Sequence, residues 1–156
     1  MVHTFDYTRP AYFGGIYVLI GWDIGSSGMQ PHLPAIHLDI NCRVRNRNVP
    51  MNLFAFRTHT HKHGVVVTGY LKRGENLKEI ARHNPQDPQM FYPMATEVAV
   101  QNGDILAARC TMNTTSEDYP VYIGIIRKYR IANKTVKMIC HLEISRFLNI
   151  VKILTS

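Results

Sequence analysis

His59 and His61 stand two apart at the end of the run Leu53-Phe54-Ala55-Phe56-Arg57-Thr58-His59-Thr60-His61. In a β-strand alternate side chains share a face, which puts Arg57, His59 and His61 on one side and Phe54, Phe56, Thr58 and Thr60 on the other. Two imidazoles at this spacing have Cα atoms roughly 6.5 to 7 Å apart, close enough for both rings to converge on one ion. Imidazole binds zinc, copper, iron or nickel; the alternative is a pair of exposed histidines on a strand edge. A metal site needs a third ligand, and spacing leaves it open. Met112 or Met138 would bring a thioether and select copper(I), whereas His83 or His141 would leave zinc available. His63 continues the parity, but Lys62-His63-Gly64 has the composition of a turn and sets it apart. Arg57 lies on the imidazole face two positions earlier. Its guanidinium can hold a carboxylate through two N–H donors beside the metal, or serve in a structural salt bridge.

The elements that must position these side chains are short and β-favouring. Runs recur at Ile16 to Ile20, Ile36 to Val44, Leu53 to His61, Val65 to Leu71, Leu77 to Ala81, Thr96 to Val100, Asp104 to Met112 and Val121 to Ile126. Between them lie turn-forming segments: Gly25 to Gly28, Arg45 to Asn48, Arg73-Gly74-Glu75-Asn76, Gln101-Asn102-Gly103-Asp104 and Thr114 to Asp118. Asn102-Gly103 is the sharpest hairpin signal. The pattern predicts an all-β protein, an antiparallel β-sandwich of jelly-roll-like form, in one domain. Asn84-Pro85-Gln86-Asp87-Pro88-Gln89-Met90-Phe91-Tyr92-Pro93 holds three prolines and is incompatible with a central strand. It is expected as an ordered surface loop, either a rigid connector or part of a binding cleft. After Arg127 the alternation fades, so residues 1–126 are read as the sandwich and residues 127–156 as an irregular basic tail.

The net charge of +7 raises nucleic acid as a partner, but its location weighs against that. Residues 1–126 carry 11 Lys or Arg against 10 Asp or Glu, while residues 127–156 carry 7 basic residues and a single acid, Glu143. With only Tyr129 and Phe147 as aromatics, the tail lacks a stacking surface for bases, and no nucleic-acid function is expected. The apolar stretch Gly14 to Trp22 is too short to cross a bilayer, and no transmembrane segment is expected. Met1 to Asp6 lacks the basic and apolar blocks of a signal peptide, which suggests a cytosolic protein or an incomplete chain. No nucleophilic triad, phosphate-binding glycine loop or Cys-x-x-Cys motif competes with the histidine strand.

Taken together, several segments resemble the second copper domain of the peptidylglycine α-hydroxylating monooxygenase family. They are Ile40-Asn41-Cys42, Phe54-Ala55-Phe56 with Arg57-Thr58-His59-Thr60-His61, His63-Gly64-Val65-Val66-Val67-Thr68-Gly69-Tyr70, the proline loop 84–93, and Gly103-Asp104-Ile105-Leu106-Ala107-Ala108-Arg109-Cys110. The resemblance runs from about Arg9 to Gly124. It implies two-domain enzymes that hydroxylate the α-carbon of a C-terminal glycine with molecular oxygen and ascorbate, the first step of peptide amidation. His59 and His61 would ligate the oxygen-activating copper with a downstream methionine, and Arg57 would hold the carboxylate of a glycine-extended peptide. The nearest counterpart of that methionine is Met138 in Val136-Lys137-Met138-Ile139-Cys140, which lacks the family's acidic pair and has Ile139 before the cysteine. The first copper domain, the family's partner in cis, is absent from this sequence. The runner-up reading is a truncated copper- or peptide-binding module without turnover.

Three cysteines leave one unpaired in an oxidising compartment, and reduced buried thiols are the cytosolic alternative. The family pattern implies a Cys110–Cys140 disulfide, a partner for Cys42 beyond the C-terminus, and a place in the secretory pathway, in secretory vesicles or outside the cell. Asn113-Thr114-Thr115 and Asn133-Lys134-Thr135 fit the N-glycosylation acceptor pattern.

Overall fold

β-branched and aromatic runs bounded by Gly, Pro and Asn give eight strands among the described residues: β1 (Tyr12–Gly21), β2 (Ile36–Arg43), β3 (Met51–Thr60), β4 (Gly64–Arg73), β5 (Asn76–His83), β6 (Tyr92–Val100), β7 (Ile105–Met112) and β8 (Cys140–Asn149). The computed structural model describes residues 12–21, 28–45, 51–122 and 140–149. Met138, the Asn133 triplet and most of the turns expected at 25–28 and 45–48 lie outside the described residues. The strands form two antiparallel four-stranded sheets, ordered β1-β8-β3-β6 and β2-β7-β4-β5. This is the order of an eight-stranded jelly roll, the sandwich that the strand spacing predicts.

Alternation decides which side of each strand enters the core. In β7, Leu106, Ala108, Cys110 and Met112 are buried while Arg109 between them is exposed. Leu53, Val67, Leu106, Leu142 and Ile144 have essentially no exposed surface, and they join the two sheets into one apolar layer. Removing this surface from water drives the assembly.

Two features differ from the expectation. Asn102-Gly103 does not close a hairpin, because β6 and β7 belong to different sheets. Gly103, at φ +93°, turns the chain across the sandwich, and its N–H and the Asp104 carbonyl both bond Val44. The two-residue hairpin is instead at Gly74-Glu75, where Arg73 faces Asn76 and Gly74 adopts φ +57°. Secondly, Cys140–Asn149, within the stretch set apart as a tail, forms β8 and lies between β1 and β3. Its inward pair Leu142 and Ile144 obeys strand alternation, a signal masked by the surrounding basic residues. Of the run expected at Val121 to Ile126, Val121 makes a bridge to Met29 and residues 123–126 lie outside the described residues.

Candidate metal centre

The histidine strand is turned outward by an irregularity in its own pairing. Met51 and Leu53 point into the core, and so do Phe56, Thr58 and Thr60. That change of parity falls where the register shifts between Leu53 and Ala55, two positions on β3 facing only one on β8 (Arg146 then Ser145). An inserted residue of this kind flips every later side chain to the other face. Without it Arg57 and His59 would share Leu53's face and be buried. With it Arg57, His59 and His61 stand half-buried on the outer face. The face assignment from simple alternation therefore holds from Phe56 to His61, while Phe54 sits half-buried at the shift.

His59 and His61 bring their ring centroids to 5.4 Å, edge to face. The proline loop between β5 and β6 folds against them. His59 Nδ1–H donates to Gln89 Oε1 at 3.1 Å, and Gln89 Nε2 donates to the Pro85 carbonyl at 3.0 Å, so the amide cannot turn round without losing both bonds. In the neutral ring this leaves the imidazole lone pair on Nε2, and a second-partner hydrogen bond of this kind is what normally orients a metal-ligating histidine. Gln86 Nε2 donates to the His61 and Gly64 carbonyls at 3.0 and 3.1 Å, fixing the turn that ends the strand. Phe91 lies under Arg57, with the guanidinium carbon 5.5 Å from the ring centroid. The loop is thus part of the site.

Arg57 Nη2 donates to Glu143 Oε1 at 2.7 Å, directly across the β3–β8 ladder. His63 stands apart, as its turn position predicts. It is buried and donates through Nε2 to Glu117 Oε1 at 2.9 Å, while Lys62 Nζ reaches the same oxygen at 3.0 Å. These two donors hold the Glu117 carboxyl well below its ordinary 4.5, at about 2.

Of the open choices for a third ligand, Met112 is fully buried in β7 inside the sandwich, away from the outer face. His83 stacks on Tyr92 at 3.9 Å between centroids and lies 3.1 Å from Asp87. His141 occupies the position facing His59 in the β3–β8 register. Among the described residues no group of three His, Cys, Asp or Glu side chains is arranged to hold an ion. The side chains that could supply imidazole ligands are His59, whose Nδ1–H is held by Gln89, and His61 beside it. Sequence reasoning missed Gln86, Gln89, Phe91 and Glu143. The signals were present: two glutamines held between prolines, an aromatic ending the loop, and the lone acid of a basic segment.

The fold is thus a jelly-roll β-sandwich that carries a His-x-His pair on its outer face. Residues 12–133 match the family described as copper type II ascorbate-dependent monooxygenase, C-terminal domain, and the chain belongs to that family. Peptidylglycine alpha-amidating monooxygenase of Rattus norvegicus is 39% identical over 79% of this chain and 12% of its own length. The Mus musculus protein is 42% identical over 62% of this chain and 10% of its own. Peptidyl-glycine alpha-amidating monooxygenase A of Xenopus laevis is 36% identical over 74% of this chain and 12% of its own. The chain spans only 10 to 12% of the length of these relatives.

Proposed function

We propose that this chain is the second copper domain of an enzyme that hydroxylates the α-carbon of a C-terminal glycine in peptides, with molecular oxygen as co-substrate and ascorbate as reductant. The family's monooxygenase character and the alpha-amidating activity in the relatives' names support this reading. The observation that carries it is the convergence of Arg57, His59 and His61 with Gln89 and Phe91 on one outer face. His59 and His61 hold the copper, with Met138 as the proposed sulfur ligand, and Arg57 meets the carboxylate end of a glycine-extended peptide. A copper ion with two imidazoles and one thioether supplies oxygen activation from its reduced state. The first copper domain is its partner in cis. We place the protein in the secretory pathway and pair Cys110 with Cys140. Cys110 is fully buried whereas Cys42, the free cysteine among the described residues, is exposed.

Copper(I) titration of the chain decides the metal reading. One copper per chain is expected, lost in His59→Ala and His61→Ala, and unchanged stoichiometry in both variants refutes it. The second reading is a module that binds copper or peptide without turnover, and the ion pair between Arg57 and Glu143 favours it, because the peptide contact already holds a carboxylate. Product formed by the isolated chain from a glycine-extended peptide, copper and ascorbate eliminates that second reading.

A further inference from the structure

Three other arginines in the described residues hold an acid by a two-pronged fork. Arg73 reaches Asp104 through Nε and Nη2 at 2.9 and 2.7 Å, Arg82 reaches Glu79 at 2.9 Å twice, and Arg109 reaches Asp39 at 2.7 and 2.6 Å. Such forks exhaust the matching geometry of guanidinium and carboxylate. Arg57 departs from this pattern. One prong, Nη2, meets Glu143 at 2.7 Å, while Nε is buried and has no acceptor among the described residues. A buried donor without an acceptor is costly and marks a place where a further group is expected. Glu143 is itself mostly buried, at 14% side-chain exposure, against 33% for Arg57. In the β-ladders it faces Arg57 on β3 and Val18 on β1.

We infer that Glu143 is a specificity-determining residue of this site: it seats a carboxylate of the chain itself on Arg57, where the carboxylate of a ligand would otherwise go. This rests on the reading of Arg57 as the contact for the peptide end. A guanidinium alone presents a full positive charge to an incoming carboxylate. Paired with Glu143 it presents none in sum, and the newcomer must displace Glu143 or sit against its negative charge. The site as built therefore accepts a peptide with a neutral end about as well as one with a free acid. Specificity of this kind is set by the repulsive group as much as by the attractive one.

The test compares two probes, an N-acetylated tripeptide ending in glycine as the free acid and the same tripeptide as its amide. Binding to the 156-residue chain is measured by calorimetry. Wild type is expected to bind the two within about threefold of each other. Glu143→Gln is expected to favour the acid by about tenfold or more, the order expected for one freed charge-assisted contact. Arg57→Gln/Glu143→Gln should lose that preference. An unchanged acid-to-amide ratio in E143Q overturns the inference, as does a preference that survives without Arg57. If wild type already favours the acid tenfold and R57Q abolishes this, the inference falls while the proposed peptide contact stands. If neither wild type nor E143Q binds either probe although His59 and His61 bind copper, the peptide contact falls and the inference with it. Should E143Q melt too low to assay, wild type against R57Q still decides. Equal binding of acid and amide supports the inference, and an Arg57-dependent preference for the acid overturns it.

Discussion

At the scale of single residues, the orientation of His59 is set by a neutral amide. Gln89 is exposed and contributes little to the core, yet its Oε1 accepts from His59 Nδ1 and so decides which ring nitrogen carries the lone pair. Glutamine suits this role because its oxygen accepts while its nitrogen donates to Pro85, and neither needs a particular pH. Gln89→Ala is accordingly expected to weaken copper(I) binding by about 10- to 100-fold, the usual effect of losing such a support. The melting temperature of the metal-free chain should hardly move. Competition titration against a copper(I) chelator, with a melting curve for the apo-protein, separates the two effects. Sequence spacing could place His59 and His61 on one face, because period-two alternation is a local property. It could not identify Gln89, which lies 30 residues along the chain and reaches His59 only through the path of the loop.

At the scale of elements, three connections meet where β3 ends: the turn His61-Lys62-His63, the proline loop, and the segment after β7. Gly64 stands at the centre of this meeting. A Cβ there would overlap the buried Thr60 side chain, and that collision would push back on the strand that carries His59 and His61. Gly64→Ala is expected to cost about 1 to 3 kcal/mol, as overpacking does, and to lower copper affinity at the same time. Urea denaturation and copper titration of the same variant should show both. The segment after β7 is tied in by Glu117, bonded to His63 and Lys62, with its carboxyl lowered from 4.5 to about 2. A carboxyl whose folded value is depressed adds stability in full above its unfolded value and loses it as pH falls toward the folded one. The melting temperature of wild type should thus exceed that of Glu117→Gln at pH 6, and the gap should narrow between about pH 4.5 and 2. Melting curves across that range check the sign. The turn was legible as Lys-His-Gly composition. The crossing of β6 to β7 was not, because Asn-Gly favours positive φ equally in a hairpin and in a turn that leaves one sheet for the other.

At the scale of the whole molecule, the sandwich depends on a strand that composition conceals. β8 fills the gap between β1 and β3, so it both completes the sheet and brings Glu143 to Arg57. The basic residues around it read as a solvated tail, whereas the buried side chains described in it, Leu142 and Ile144, follow strand alternation. One place where the two sheets press on each other lies between β4 and β8. Gly69 in β4 lies under Leu142 so closely that a Cβ there would sit 2.7 Å from Leu142 Cδ2 and 3.2 Å from Ala81 Cβ. Leu142→Ala removes the first of these neighbours and leaves a void, at a cost of about 2 to 5 kcal/mol. Gly69→Ala with Leu142 in place overpacks the contact, at a cost of about 1 to 3 kcal/mol. Combined, the added methyl group enters the space that the shortened side chain vacates. The double variant should therefore be more stable than the sum of the single losses predicts, by about 0.5 to 3 kcal/mol. Urea unfolding of the four proteins measures that difference. Additive losses would mean that β4 and β8 do not press together there.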